Sequence, residues 1–344
     1  MPPRKQAKRK TTASAGRSDG IHPLGKLFFV LLIIGALGIL LIGLFRDKSE
    51  EAIEPAQPIG RSVVNSIEAQ IALAREGFSP GSIDGKTGSQ TQLTLIAYQT
   101  ARQLPPSGLL DLATAESLLI EDPVFARVEL TANDFNKVGP KPSSWIERGQ
   151  VDQMRYNSIL EMIAEKTQCD PDFIVQLNPN INWSKLTPGD QILTPNLRIY
   201  QIVKPLAYVR IQLSKRILQA FDENGQIRFH CPVSIARRID KRPSGELAVK
   251  VIVKDPNYTF NPAILTATAE REGITNKFII QPGPNNPVGS VWIGLNLPSY
   301  GIHGTPEPEK VGRTESSGCF RLANWNAQAL LKAAWVGMPI LVDP

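Results

Sequence analysis

The chain has 344 residues, 42% hydrophobic and 20% charged, with a formal net charge of +6, three histidines and three cysteines. That length suits two or three domains, and the composition excludes both an intrinsically disordered chain and a small disulfide scaffold. Residues 1–26 hold seven basic side chains (Arg4, Lys5, Lys8, Arg9, Lys10, Arg17, Lys26) against Asp19, which leaves 31 basic and 31 acidic residues in the remainder, so the body has no basic excess for nucleic acid.

The basic tail 1–26 precedes "LFFVLLIIGALGILLIGLF", Leu27 to Phe45, nineteen residues without a charge. As a helix this run is roughly 28 Å long, enough to span a bilayer core. The positive-inside rule places the tail in the cytoplasm and the chain beyond residue 46 in the periplasm or cell wall. No small-residue cleavage pattern follows, so residues 27–45 are expected to be an uncleaved signal anchor and the chain's contact with the membrane. Residues 46–62, with Pro55 and Pro58, suit a solvated linker. In an oxidising compartment an odd number of cysteines leaves at least one outside any intramolecular disulfide. Cys169 and Cys231 are either a bridge or two buried thiols, and Cys319 is the candidate left over.

Between residues 63 and 120, "VVNSIEAQIALAREGF" spaces Val64, Ile67, Ile71 and Ala74 on one helical face and stops at Gly77. "SPGSIDGKTG" is turn chemistry. "SQTQLTLIAYQTARQL" opens a second helix with Leu93, Ile96, Ala97 and Thr100 on one side, and "LLDLATAESLL" gives a third. The expectation is a small α-helical bundle.

In residues 153–198, Ile159, Met162 and Ile163 form a helical stripe, Asp170-Pro171 starts a second helix ending near Asn178-Pro179, and "LTPGDQILTP" turns into a short strand. Residues 199–344 are strand-rich. Tyr208, Arg210 and Gln212 alternate with Val209, Ile211 and Leu213, and Asn224-Gly225 sits between two apolar runs as a hairpin turn. "LAVKVIVKD", "KFIIQPG" and "VWIGLNL" add strands to a mostly antiparallel structure, and "NWNAQALLKAAW" is helical.

Within that last segment, "GIHGTPEPEKVGRTESSGCFRL" places His303 sixteen positions before Cys319. A thiol is nucleophilic as the thiolate and needs a base at neutral pH, since its ordinary pKa is about 8.5. His303 is the candidate base, and Gly304 lets backbone approach it. Backbone N–H groups at Ser317, Gly318 and Cys319 can point at one spot and stabilise an oxyanion, while Arg321 binds a carboxylate or pins the loop. Zinc requires three or four ligands, and His230, His303 and the scattered cysteines lack paired spacing, so no metal or other cofactor is expected. His230 and Cys231 are adjacent on a strand and point to opposite faces, which makes His230 a packed or edge residue.

Three resemblances follow from these residues. "REGFSPGSIDGKTGSQTQLTLIAYQ" resembles the peptidoglycan-binding-like module. "LNPNINWSKLTPGDQILTPN" resembles a LysM domain, a fold of two helices on two strands, with "YNSIL" in place of the usual Gly-Asp-Thr-Leu. That module is either glycan-binding or a spacer. His303, Gly304, Ser316, Gly318, Cys319 and Arg321 resemble the signature of the YkuD-type L,D-transpeptidase catalytic domain, with Ser317 where many members have histidine.

Together these readings give a multidomain chain: one N-terminal transmembrane helix, a small α-helical bundle, a small LysM-like α/β module and a mostly β domain that the last resemblance makes catalytic. That resemblance implies a cysteine-dependent acyltransferase in which Cys319 is the nucleophile and His303 the proton donor and acceptor, and Cys319 is acylated by carbapenems. Gly304, Ser316 and Arg321 shape the substrate site or its loop. The reaction implied is peptidoglycan cross-linking through a thioester on a stem tetrapeptide with release of D-alanine. The implied partners are stem peptides and glycan strands. An L,D-carboxypeptidase uses the same Cys and His, and a wall-binding anchor without catalysis is the reading from another class.

Overall fold

The computed structural model describes residues 60–197, 200–202, 205–314 and 318–344. The basic tail, the apolar run 27–45 expected to cross the membrane and residues 46–59 of the linker lie outside the described residues, as do Ser316 and Ser317. Among the described residues no helix is long and apolar enough to cross a membrane. The end of the expected linker is not loose chain: Arg61–Ser62 (β1) pairs antiparallel with Leu119–Ile120 (β2). Arg61 also grips Glu68 through two hydrogen bonds of 2.7 and 2.8 Å.

Three helices follow as expected, α1 (Ser66–Arg75), α2 (Ser89–Ala101) and α3 (Leu112–Ser117). Asn65 caps α1 by accepting the Glu68 N–H, and Asp111 caps α3 by accepting the Thr114 N–H. Val64 is a correction: it precedes the cap and is 74% exposed, while Ile71 and Ala74 are buried. On α2 the buried side is Thr91, Thr94, Leu95 and Tyr98, with Leu93 and Ile96 only half-buried and Thr100 exposed. The physical reason is hydrogen bonding. Thr94 Oγ1 donates to backbone carbonyls, and the Gln99 amide is satisfied by Ser107, Leu109 and Thr114. Polar side chains whose partners are supplied can line a core, and a search for apolar periodicity passes over them.

The next strand, Phe125–Glu129 (β3), was not anticipated. It pairs antiparallel along its whole length with Gln191–Pro195 (β4), so the sheet partner of the segment 153–198 comes from before it. Two short helices, α4 (Ala132–Phe135) and α5 (Trp145–Gln150), fill the interval. The expected pair then appears as α6 (Ile159–Lys166), capped by Ser158, and α7 (Pro171–Leu177), capped by Asp170 with proline in its first turn. One continuous apolar cluster joins Ile71, Leu73 and Tyr98 to Met162, Ile163, Ile174 and Ile192. The two N-terminal segments therefore share a core.

The C-terminal part contains Tyr208–Gln212 (β5), Ile217–Phe221 (β6), Ile227–Pro232 (β7), Gly245–Lys254 (β8), Tyr258–Phe260 (β9), α8 (Thr266–Glu272), Phe278–Ile280 (β10), Val291–Leu295 (β11), Gly301–His303 (β12), Phe320–Arg321 (β13), α9 (Asn324–Ala333) and Pro339–Asp343 (β14). Eight of these strands make one sheet in the order β13-β12-β11-β8-β14-β5-β6-β7. It is mostly antiparallel, with two parallel pairs, β12 with β13 and β14 with β5. Gly225 takes a left-handed φ of 74° in the β6–β7 turn, as the Asn-Gly signal requires.

At the β7 edge, Phe78 of the first segment bridges to His230, with Ser79 N donating to His230 O at 2.8 Å and His230 N to Gly77 O at 3.0 Å. His230 and Cys231 are adjacent on a strand, yet both are fully buried, because neighbouring structure covers each face. No disulfide joins Cys169 and Cys231, and they lie in different apolar clusters.

Candidate active site

At the other edge of the sheet, β11 delivers Trp292, β12 delivers His303, and the turn into β13 delivers Cys319. Trp292 and His303 are register partners, and their rings stack with centroids 5.8 Å apart and 24° between planes. Gly301 is required by this wall: a Cβ there would stand 2.7 Å from the Trp292 ring. Arg321 is the register partner of His303 on the parallel side, and its backbone exchanges two 2.9 Å hydrogen bonds with Ser234. The chain direction of β12 and β13 thus brings the histidine and the cysteine-bearing turn to one edge.

The His303 ring is held by its own neighbour. Nδ1 lies 2.6 Å from Gly304 O. A carbonyl only accepts, so Nδ1 carries the proton and Nε2 keeps its lone pair. Burial pushes His303 down to about 4, against the favourable Gly304 hydrogen bond and with Arg321 adding to the depression. The imidazole is therefore neutral at neutral pH, the form that accepts a proton. The partner of Nδ1 is thus a backbone carbonyl, at the position where a Ser-His-Asp or Cys-His-Asn triad has a side chain.

Cys319 is half-exposed, and its Sγ donates to Ser299 O at 3.4 Å. Burial pushes the thiol up, opposed by a hydrogen bond with the Gly301 backbone and by the Arg321 charge. A protonated thiol attacks only when a base takes its proton, and a neutral imidazole can serve as one. Arg321 itself is drawn down by burial and held up by Glu307 and Cys319.

Gly304, whose carbonyl lies against the His303 ring, is also crowded from a second side. A Cβ on it would sit 2.1 Å from Asn324 Oδ1, and one on Gly289, whose φ is +63°, would meet the same atom at 2.1 Å. Two glycines clamp this buried amide. Its Oδ1 accepts the N–H groups of Ser290 and Thr305, each at 3.1 Å. Its Nδ2 donates to Pro284 O at 3.1 Å and to Glu165 Oε2 at 2.9 Å. Through the Thr305 N–H this one side chain holds the Gly304–Thr305 peptide. Gly318, in contrast, is not crowded: a Cβ there meets nothing nearer than Tyr300 Cε1 at 4.0 Å.

Among the described candidates, His303, Gly304, Gly318, Cys319 and Arg321 gather at this edge, whereas Ser316 and Ser317 lie outside the described residues. Trp292, Gly289, Asn324 and Glu165 escaped sequence reading. Only the Asn-Trp-Asn start of the last helix, close after the thiol, offered a signal for Asn324. A cavity of about 570 Å³ borders the site, lined among others by Asp255, Tyr258, Gln281 and Trp292. Burial raises the Tyr258 phenol, and Cys319 lies close enough to add to that shift. Among the described residues no group of three or more His, Cys, Asp or Glu side chains is arranged to hold a metal.

Comparison with known proteins adds two domain matches. Residues 206–342 match the family described as the L,D-transpeptidase catalytic domain, and residues 64–118 match the peptidoglycan binding domain family. A Bacillus licheniformis protein named as an L,D-transpeptidase, YkuD, is 23% identical over 192 residues, covering 56% of this chain and 98% of its own. A Bacillus subtilis protein named as an L,D-transpeptidase, YqjB, is 31% identical over 115 residues, covering 32% of this chain and 56% of its own. Among solved structures, L,D-transpeptidase 3 from Mycobacterium tuberculosis overlaps 46% of this chain and 77% of its own at 12% identity, with a TM-score of 0.33. An L,D-transpeptidase from Xylanimonas cellulosilytica overlaps 82% of this chain and 95% of its own at 14% identity, also at 0.33.

Proposed function

We propose that this chain, which carries an L,D-transpeptidase catalytic domain at residues 206–342 and a peptidoglycan-binding domain at residues 64–118, is a peptidoglycan cross-linking enzyme with Cys319 as nucleophile. The observation that carries the reading is the Nδ1–H to Gly304 O hydrogen bond on a buried, neutral His303, which leaves Nε2 as a base at the strand edge shared with the Cys319 turn. The donor is a stem tetrapeptide lying along the cavity beside Trp292 and Tyr258.

Cys319 Sγ bonds to the carbonyl carbon between the third and fourth residues while His303 Nε2 takes the thiol proton. Backbone N–H groups at Ser317, Gly318 and Cys319 receive the oxyanion. The intermediate collapses with cleavage of the C–N bond, His303 returns the proton to the departing nitrogen, and D-alanine leaves behind a thioester. An amine of a second stem then attacks, loses its proton through His303 to the departing sulfur, and forms the new amide. Arg321 holds a substrate carboxylate or the loop that carries Ser316, and its positive charge lowers the cost of developing thiolate.

The remaining organisation belongs to the same proposal. Residues 1–26 are a cytoplasmic tail, residues 27–45 the membrane anchor and residues 46–60 the linker. Residues 63–120 and the LysM-like residues 153–198 hold glycan near the catalytic domain 199–344, outside the cytoplasm. Tethering of this kind raises the effective concentration of substrate.

The test is incubation of the full chain and its Cys319→Ala variant with disaccharide tetrapeptide, read by mass spectrometry. A dimer lacking one D-alanine, absent with the variant, is the expected result. Tripeptide without dimer makes the chain a carboxypeptidase, and unchanged substrate with retained wall binding makes it an anchor.

A further inference from the structure

Glu165 lies on α6, outside the catalytic domain, and is buried. One of its oxygens accepts the Tyr156 hydroxyl at 2.9 Å and the other accepts Asn324 Nδ2 at 2.9 Å. Glu161 is the charged group near enough to act on it, and burial, reinforced by Glu161, pushes the Glu165 carboxyl up to about 7 against those two hydrogen bonds. A buried ionisable group is costly unless its partners are supplied, and here both are.

The connection from this carboxylate to the active site is continuous. An asparagine amide has two distinct ends, and only a fixed orientation presents Oδ1 to the Ser290 and Thr305 N–H groups. Glu165 and Pro284 O, both acceptors, hold the other end and forbid the flip. The Gly304–Thr305 peptide held by Oδ1 is the one whose carbonyl accepts the His303 Nδ1–H hydrogen bond. The seam extends beyond one residue: Met154 N donates to Pro282 O at 2.9 Å, Asn285 N donates to Met154 O at 3.1 Å, and Asn285 Nδ2 donates to Arg155 O at 2.8 Å. Gly283 lies so close that a Cβ would stand 2.1 Å from Met154 O.

We propose that Glu165 is a positioning residue for His303: through Asn324 it sets the Gly304 carbonyl that selects the histidine tautomer, so the LysM-like segment completes the catalytic centre. The link to turnover rests on the transpeptidase reading above; the link to the histidine does not.

The experiment uses the full chain with Glu165→Ala, Glu165→Gln, Tyr156→Phe and, as a packing control on the same helix, Met162→Ala, whose native side chain is fully buried. Two readouts need no substrate: the imidazole 15N signals, few because the chain has only three histidines, and the rate of Cys319 alkylation by iodoacetamide, located by peptide mapping. Glu165→Ala is expected to reduce the Nδ1–H fraction of His303, leave His230 unchanged and slow alkylation about tenfold, within the range carried by a general base. Glu165→Gln, which keeps an acceptor for Asn324 and offers its NH2 to the Tyr156 oxygen, restores alkylation to within about twofold of the native rate. Tyr156→Phe, which retains the packing, gives a smaller change in the same direction, so the test survives if Glu165→Ala does not fold.

An unchanged His303 tautomer in Glu165→Ala, or in Tyr156→Phe if the alanine variant is unfolded, overturns the proposal even if native turnover is observed. So does an equal loss in Met162→Ala, which reduces the effect to general loosening. Failure of the native chain to cross-link stems, with the tautomer change present, removes the transpeptidase reading and leaves the positioning intact.

Discussion

The two edges of the eight-stranded sheet carry the same pair of residue types with opposite consequences. At the β7 edge, His230 and Cys231 are sealed beneath the first helical segment; burial pushes the histidine down to about 3 and the thiol well up. His230 Nε2 has no hydrogen-bond partner, and Nδ1 reaches only the Gln219 amide at 3.4 Å. At the β12–β13 edge, His303 is equally buried but its Nδ1 proton is committed to Gly304 O, and Cys319 is half-exposed with Arg321 opposing the effect of burial. Burial alone makes a histidine neutral. A fixed tautomer, a thiol within reach of solvent and a compensating charge make it useful.

The largest test of that contrast is loss of the Cys319 thiol. Cys319→Ala is expected to remove D-alanine release by at least about a thousandfold, while Cys231→Ala leaves kcat within about threefold. Labelling by a carbapenem, followed by intact mass, should likewise be lost only with Cys319. Next, His303→Gln should lower kcat about a hundredfold or more, with His230→Gln within a few-fold of native. Equal losses at both histidines would erase the distinction between the edges.

Gly304→Ala is next in size. Its Cβ meets a clamped amide rather than a flexible chain end, so a loss of about 2 kcal/mol in a denaturant titration is expected, together with reduced turnover. Arg321→Gln should move the alkylation profile of Cys319 to higher pH, because it removes the charge that favours the thiolate.

Acid stability gives a finer test. His303 and His230 have folded-state pKa values below the ordinary 6.5, so between that value and about 3 the unfolded chain binds more protons. Stability then falls as pH falls through this window. Glu165, raised to about 7, contributes the opposite slope between about 4.5 and 7. His230→Gln should flatten the decline of Tm from pH 6.5 to 4, and an unaltered decline would show that this edge is not sealed. The smallest effect is expected at the half-exposed Arg313–Asp84 contact, 3.6 Å, which ties the loop between His303 and Cys319 to the first segment. Arg313→Ala should cost less than about 1 kcal/mol.

The groups of the candidate site were legible from residue types alone. The spacing of His303 and Cys319, with Arg321 beyond, offered a candidate base, a candidate nucleophile and a charge, and β12 and β13 bring them to one sheet edge. The Asn224-Gly225 turn, the Asp170-Pro171 helix start and the alternation from Tyr208 to Gln212 named local structure, because caps, turns and pleats act over a few residues. The buried face of α2 was misread because Thr94 and Gln99 are satisfied by groups distant in sequence. The strand Phe125–Glu129 was missed because its partner lies far along the chain.

By itself, then, the sequence determined the first three helices, the helix pair between Ile159 and Leu177, the strand-rich character of residues 199–344, the charge asymmetry of the N-terminal tail and the chemical groups available at the candidate site. Tertiary structure decided which of two buried histidines has its tautomer fixed. It also decided why Gly304 and Gly289 must be glycine and how Glu165, 159 residues from Asn324, comes to touch it. Those outcomes depend on which atoms share a low-dielectric interior, and sequence separation carries no information about that distance.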